Sequence, residues 1–135
     1  MDLVHLQLLR NLGYSERAIR LIAEQPQAGA IEHPTVYYQH QGSCGDIMEL
    51  ALVVEGRLIR EARYMLTGCA GLQASAAALS LMIRGLTVEQ AEKITADDIV
   101  AYLGGLPASK VDCAELARDT LQGALAAFAA RHYEA

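Results

Sequence analysis

Between Met48 and Leu66 the chain keeps to a period of two. Met48, Leu50, Leu52 and Val54 alternate with Glu49, Ala51 and Val53; Glu55-Gly56 then offers a turn; and Ala62, Tyr64 and Leu66 alternate with Glu61, Arg63 and Met65. Successive side chains of a strand point to opposite faces, so this pattern predicts two antiparallel strands joined by a turn. "TVYYQ", residues 35 to 39, is rich in β-formers and predicts a strand ahead of them. A three-stranded antiparallel meander follows.

Helical signals flank the meander. Leu3, Leu6, Leu9 and Leu12 recur near helical spacing, and Asn11-Leu12-Gly13 ends that segment. Ser15 can cap a second helix running to Glu24, with Ala18, Ile19 and Ile22 as its apolar side and Pro26 as its stop. Gln27 to Pro34 reads as irregular. Beyond the meander, Leu72, Ala76, Leu79 and Ile83 form a helical stripe closed by Gly85. Thr87 with Gln90, and Thr95 with Asp98, have the spacing of capping boxes for two short helices. "YLGGLPASK" breaks the chain before a last helix from about Lys110 to His132, striped by Cys113, Ala117, Thr120, Ala124 and Phe128. No internal repeat or linker interrupts the 135 residues, which predict a single α+β domain with helices packed on a small sheet.

Composition narrows the function. The chain is 53% hydrophobic with only 5% aromatics and no Trp, so alanine and leucine supply closely packed helices. A net charge of −5 argues against nucleic acid or an anionic membrane, each of which needs a basic stripe. "MDLVHLQLLRNLGYSE" lacks the basic and apolar regions of a secretory signal, and Met65 to Ile83 is too glycine-interrupted for a membrane span, so the cytoplasm is the expected compartment. Three cysteines there are an odd number in a reducing milieu and call for something other than disulfides.

Each cysteine falls at a junction between elements. Cys44, in "QGSCGDIMEL", precedes a strand; Cys69, in "LTGCAGLQAS", opens the alanine-rich helix; Cys113, in "ASKVDCAEL", lies in the first turn of the last helix. Helix N-termini favour the thiolate, the form that binds metal or attacks sulfur, and Gly45 and Gly68 allow close backbone approach. A cysteine in apolar sequence is commonly a small buried hydrophobe, and Cys113 lies on an apolar stripe. Three such cysteines at junctions point the other way, although their intervals match no zinc-finger or CxxC pattern. Asp46 is a candidate further ligand beside Cys44, or an Asx-type turn residue. Asp112 is a candidate beside Cys113, or the end of a capping box begun by Ser109. His40 is a reserve ligand; His5, His33 and His132 read as surface residues.

Taken in order, "GSCGDIMEL", "LTGCAGLQASAAALS" and "LPASKVDCAELARDTLQGAL" resemble the three cysteine motifs of the IscU/NifU-type iron–sulfur cluster scaffolds. The resemblance runs from about Gly42 to Leu125. It implies a SufE/NifU-like fold and a non-enzymatic scaffold. Such a scaffold takes sulfur from a cysteine desulfurase, assembles a [2Fe–2S] or related cluster ([4Fe–4S] included) and passes it to apo iron–sulfur proteins. It further implies Cys44, Cys69 and Cys113 as cluster ligands and persulfide acceptors, with Asp46 tuning lability. Three thiolates with one oxygen ligand suit a cluster that is to be handed on, and the same donors would take Zn²⁺ without a cluster.

The resemblance has departures. Asp112 stands where the family commonly has histidine, leaving Asp46 or Asp112 as the fourth ligand. Leu106-Pro107-Ala108-Ser109-Lys110 keeps only the ends of a chaperone-recognition segment, which puts chaperone-assisted release in doubt. "EQPQAGAI" keeps only Pro26 and Gly29 of the family's N-terminal segment, so residues 1 to 30 form a divergent helical region. The short interval from Cys69 to Cys113 lacks the insertion of SufU-type sulfur acceptors. Homo-oligomerisation stays open. The residues also admit a zinc-bound persulfide carrier, with Cys113 as the dominant nucleophile, or a relative whose metal serves only stability.

Overall fold

The computed structural model describes residues 2–134, with side chains through Arg131. Its strands are β1 (Val36–Gln41), β2 (Ile47–Glu55) and β3 (Leu58–Thr67), paired antiparallel in the order β1-β2-β3. The expected meander is present. Register puts Val36, Tyr38 and His40 opposite Leu52, Leu50 and Met48, which in turn face Ala62, Tyr64 and Leu66. Met48, Leu50, Leu52 and Ala62 are fully buried. The predicted alternation therefore sets the face on which the helices lie. It slips once, between Val53 and Val54, where Arg60 is the extra residue on β3. That bulge lets Ile59 turn into the core, three residues from Ala62.

Six helices follow the predicted signals: α1 (Leu3–Asn11), α2 (Glu16–Glu24), α3 (Ala70–Ile83), α4 (Val88–Glu92), α5 (Ala96–Leu103) and α6 (Val111–Glu134). The Ser15 side chain accepts the Ala18 N–H at the start of α2, and both threonine capping boxes form reciprocally. The third proposed box does not form. Ser109 lies inside a 3₁₀ turn, Ala108–Lys110, that runs directly into α6, so there is no free helix start for it to cap.

α3 and α6 pack against one another and on the sheet. α3 is buried on nearly every side, Leu72 and Leu79 with the alanines between them, which explains its small side chains. On α6, Ala117, Thr120, Ala124 and Phe128 are buried as the stripe predicts. Gly123 interrupts that helix for a packing reason: a Cβ there would lie 2.1 Å from a ring carbon of Tyr38. The irregular segment after α2 covers the β3 edge, with the Gly29 N–H donating to the Tyr64 carbonyl and the Tyr64 N–H donating to that of Gln27.

The N-terminal helices are fastened unequally. Ser15 Oγ donates to the Leu103 carbonyl, and Arg17 donates to that of Tyr102 while stacking 5.1 Å over its ring. α1 buries only Leu9; Leu3, Val4, Leu8 and Leu12 stay exposed. Among the described residues, no helix is long and apolar enough to cross a membrane.

Candidate functional site

Meander and helices converge at the end of the sheet where β3 runs into α3. Cys69 is the N-cap residue of α3, in extended backbone, and Cys113 is the third residue of α6. Because the two helices pack together, their N-terminal ends meet, and the sulfurs lie 3.5 Å apart. Both are half-buried. Gly71 makes this approach possible, since a Cβ there would stand 3.1 Å from Cys113 Sγ and from two carbons of Lys110.

The two thiols do not share charge evenly. Burial pushes Cys69 up. It is overcome by the backbone N–H groups of Leu72 and Gly71, by the Cys113 thiol and by the Lys110 ammonium, so the net shift is downward. Cys113 is pushed up to about 12, first by burial, then by its hydrogen bond to Cys69 and the charge held there. The carrier alternative takes Cys113 as its nucleophile; the downward shift falls on Cys69. Cys69 stands just ahead of the open first turn of α3 and takes the N–H groups of Leu72 and Gly71, whereas Cys113 is the third residue of α6, behind the 3₁₀ turn.

Asp46 reaches the same corner. Its Oδ2 lies 3.0 Å from the position a Gly68 Cβ would take, and its charge helps to raise Cys113. Of the two candidate aspartates, Asp46 is half-buried and its charge acts on Cys113, whereas Asp112 is exposed. Cys44 stands apart, exposed in the turn between β1 and β2 beside Gly45, whose φ is +91°. Among the described residues, no three His, Cys, Asp or Glu side chains are grouped closely enough to hold a metal ion. The structure thus brings Cys69 and Cys113 into contact, places the Asp46 carboxylate over Gly68 at the same end of the sheet, and leaves Cys44 and Asp112 exposed.

His40 is half-buried on β1, stacked on Tyr38 with centroids 6.3 Å apart; His5 and His33 are exposed. The side chain of His132 lies outside the described residues.

One residue of the site escaped the sequence reading. Tyr14, between α1 and α2, is buried, with its phenol held up to about 12 by burial and then by charge on Cys69 and Cys113. It also faces the backbone of Gly71. Its sequence signal was its place just before the Ser15 cap, where an apolar residue fixes the chain's path into a helix.

A three-stranded antiparallel meander with helices packed on it is the fold of NifU-like N-terminal structures. The chain belongs to the family of the NifU-like N terminal domain, whose sequence profile matches residues 13–135. It is 33% identical over 121 residues to the iron–sulfur cluster assembly scaffold protein IscU 1 of Archaeoglobus fulgidus, covering 90% of this chain and 69% of that protein. It is 34% identical over 121 residues to the nitrogen fixation protein NifU of a Nostoc species, which covers 83% of this chain but only 40% of NifU. Among solved structures, a NifU-like N-terminal protein from Brucella abortus superposes with a TM-score of 0.71 at 14% identity, covering 87% of this chain and 95% of that one. A protein described as a SUF-system scaffold, from Fervidobacterium islandicum, gives 0.68 at 25% identity, covering 83% and 96%. α1 lies ahead of the region the family shares.

Proposed function

We propose that this protein is a non-enzymatic scaffold on which an iron–sulfur cluster is assembled from iron and desulfurase-derived sulfur, then passed to apo-proteins. The observation that carries the reading is the pair of sulfurs 3.5 Å apart at the N-terminal ends of α3 and α6, with Asp46 beside them. Iron–sulfur cargo is held by thiolates. Cys69 and Cys113 supply a preformed pair, Cys44 supplies a third thiol when its turn folds toward them, and Asp46 is the candidate oxygen ligand. An incomplete thiolate cage favours release, and a [2Fe–2S] cargo suits so few donors. The relatives named as scaffolds support the same role.

Anaerobic incubation with iron, sulfide and a cysteine desulfurase tests it. The wild type should gain charge-transfer absorbance, and the Cys44→Ala/Cys69→Ala/Cys113→Ala variant should not. Equal gain in both, or none in the wild type, removes the reading.

The second reading is a zinc-bound persulfide carrier. The favoured thiolate at Cys69 supports it, since a carrier needs one nucleophile; that nucleophile would be Cys69 in place of Cys113. A stable persulfide on one cysteine without iron uptake would select it.

A further inference from the structure

The scaffold reading leaves a redox gap. Desulfurase-derived sulfur reaches a thiol as persulfide, at the sulfane level, whereas cluster sulfur is sulfide, two electrons lower. The two cysteines in contact can supply those electrons. Cys69 sits in an open corner, flanked by the exposed Thr67 and Gly68, where a protein-bound sulfur donor can reach it. Cys113 lies over the first turn of α3, in space that only the missing side chain of Gly71 leaves free. Its sulfur is in van der Waals contact with Cys69 Sγ at 3.5 Å. A disulfide needs that gap to close by about 1.5 Å. Cys44 is not in this contact, so the reaction belongs to one pair.

We propose that Cys69 and Cys113 act as an internal dithiol reductant that converts a persulfide on Cys69 into sulfide at the assembly site. This step rests on the scaffold reading. Cys113 sulfur attacks Cys69 Sγ, the inner sulfur of the persulfide. The Cys69–Cys113 bond forms, the bond from Cys69 to the terminal sulfur breaks, and the terminal sulfur leaves with the electron pair. The Cys113 proton departs with it, so that Cys69–S–S⁻ and Cys113–SH become the disulfide and HS⁻. The two cysteine sulfurs are each oxidised by one electron and the sulfane sulfur is reduced by two. It is an ordinary thiol–disulfide exchange in which sulfide is the leaving group. One sulfide release needs no outside reductant, but a dithiol such as dithiothreitol must reopen the pair before it can ligate a cluster or turn over again.

The test uses the full chain carrying Cys44→Ala, so that no other pairing is available. It is treated anaerobically with a cysteine desulfurase already carrying its persulfide and freed of excess cysteine, one persulfide per chain, without any other thiol or metal. The expected product is a chain about 2 Da lighter, with a Cys69–Cys113 linked peptide and one sulfide released per chain. Adding Cys113→Ala, or Cys113→Ser as a second variant, should stop the reaction at a chain about 32 Da heavier, with sulfide release lost. The proposal is overturned if the chain that keeps both cysteines retains the added sulfur, or takes up none. It is equally overturned if the Cys113 variants release as much sulfide. A parallel incubation of the wild type with iron and ready-made sulfide bypasses the step. A cluster formed there, alongside a persistent persulfide, removes the dithiol step and leaves the scaffold reading standing. Absence of a cluster there removes the scaffold reading itself.

Discussion

Replacing Gly123 with alanine sets two effects against each other in α6, the helix that carries Cys113. Alanine is favoured over glycine in a helix interior by about 1 kcal/mol. Against it, the new Cβ would stand 2.1, 2.3 and 2.8 Å from three carbons of the Tyr38 ring. Carbon contacts are comfortable at about 3.5–4.0 Å, so the ring must withdraw by more than an ångström. It cannot do so freely, because it is stacked on His40 on its own strand. Forcing extra carbon into a packed site costs about 1–3 kcal/mol, and the contact here is at the severe end. The net expectation is a loss of about 1–2 kcal/mol on combining these magnitudes. Urea unfolding followed by circular dichroism measures it. In a Tyr38→Ala background the ring is gone, and the same substitution should become neutral or stabilising by up to about 1 kcal/mol. A wild-type background in which Gly123→Ala stabilises the fold would refute the close approach of α6 to β1.

Three further outcomes follow from the site and the N-terminus. In metal-free protein, Cys69 should react with iodoacetamide faster than Cys113, and Cys69→Ser should accelerate Cys113 at pH 8, because burial first and then the hydrogen bond and charge of Cys69 hold the Cys113 thiol protonated, and the substitution removes the last of these; peptide mass mapping reads both rates. Tyr14 and Tyr64 are each pushed up to about 12, and Cys113 likewise, so the folded state keeps protons that the unfolded chain releases, and stability should fall as pH rises from about 9 toward 12; Cys69→Ser/Cys113→Ser should lower the Tyr14 ionisation in an ultraviolet titration and leave Tyr64 unmoved, since burial alone raises the latter. In α1, Leu9 is 3% exposed and Leu3 is 82% exposed, so Leu9→Ala should cost about 2–3 kcal/mol in urea unfolding and Leu3→Ser less than about 0.5.

The legible parts of the fold were those written in local chemistry. The alternation around Met48, Leu50 and Leu52 fixed the buried face of the sheet, and Ser15, Thr87 and Thr95 marked their helices by side chains that bond nearby backbone. The Arg60 bulge left no local mark, because Val53-Val54 and Leu58-Ile59 read as apolar in either register. Within the site, residue type and junction position singled out the three cysteines. Their grouping depends on how α3 packs on α6, which no sequence interval encodes. The contact of Cys69 with Cys113, the approach of Asp46 over Gly68 and the outlying place of Cys44 therefore appear only in three dimensions. Tyr14 was hidden for the same reason, since it reaches the thiols from a segment far away in sequence. Which thiol holds the charge depends on burial and on the contact between Cys69 and Cys113, neither of which has a local mark in the sequence.

If the paired cysteines at the ends of α3 and α6 hold iron–sulfur cargo, anaerobically purified wild-type protein should contain iron and acid-labile sulfide in comparable amounts. The Cys69→Ala/Cys113→Ala variant should lose both, with circular dichroism unchanged. Wild-type protein devoid of both after reconstitution, or a pair variant that retains them, would rule that role out.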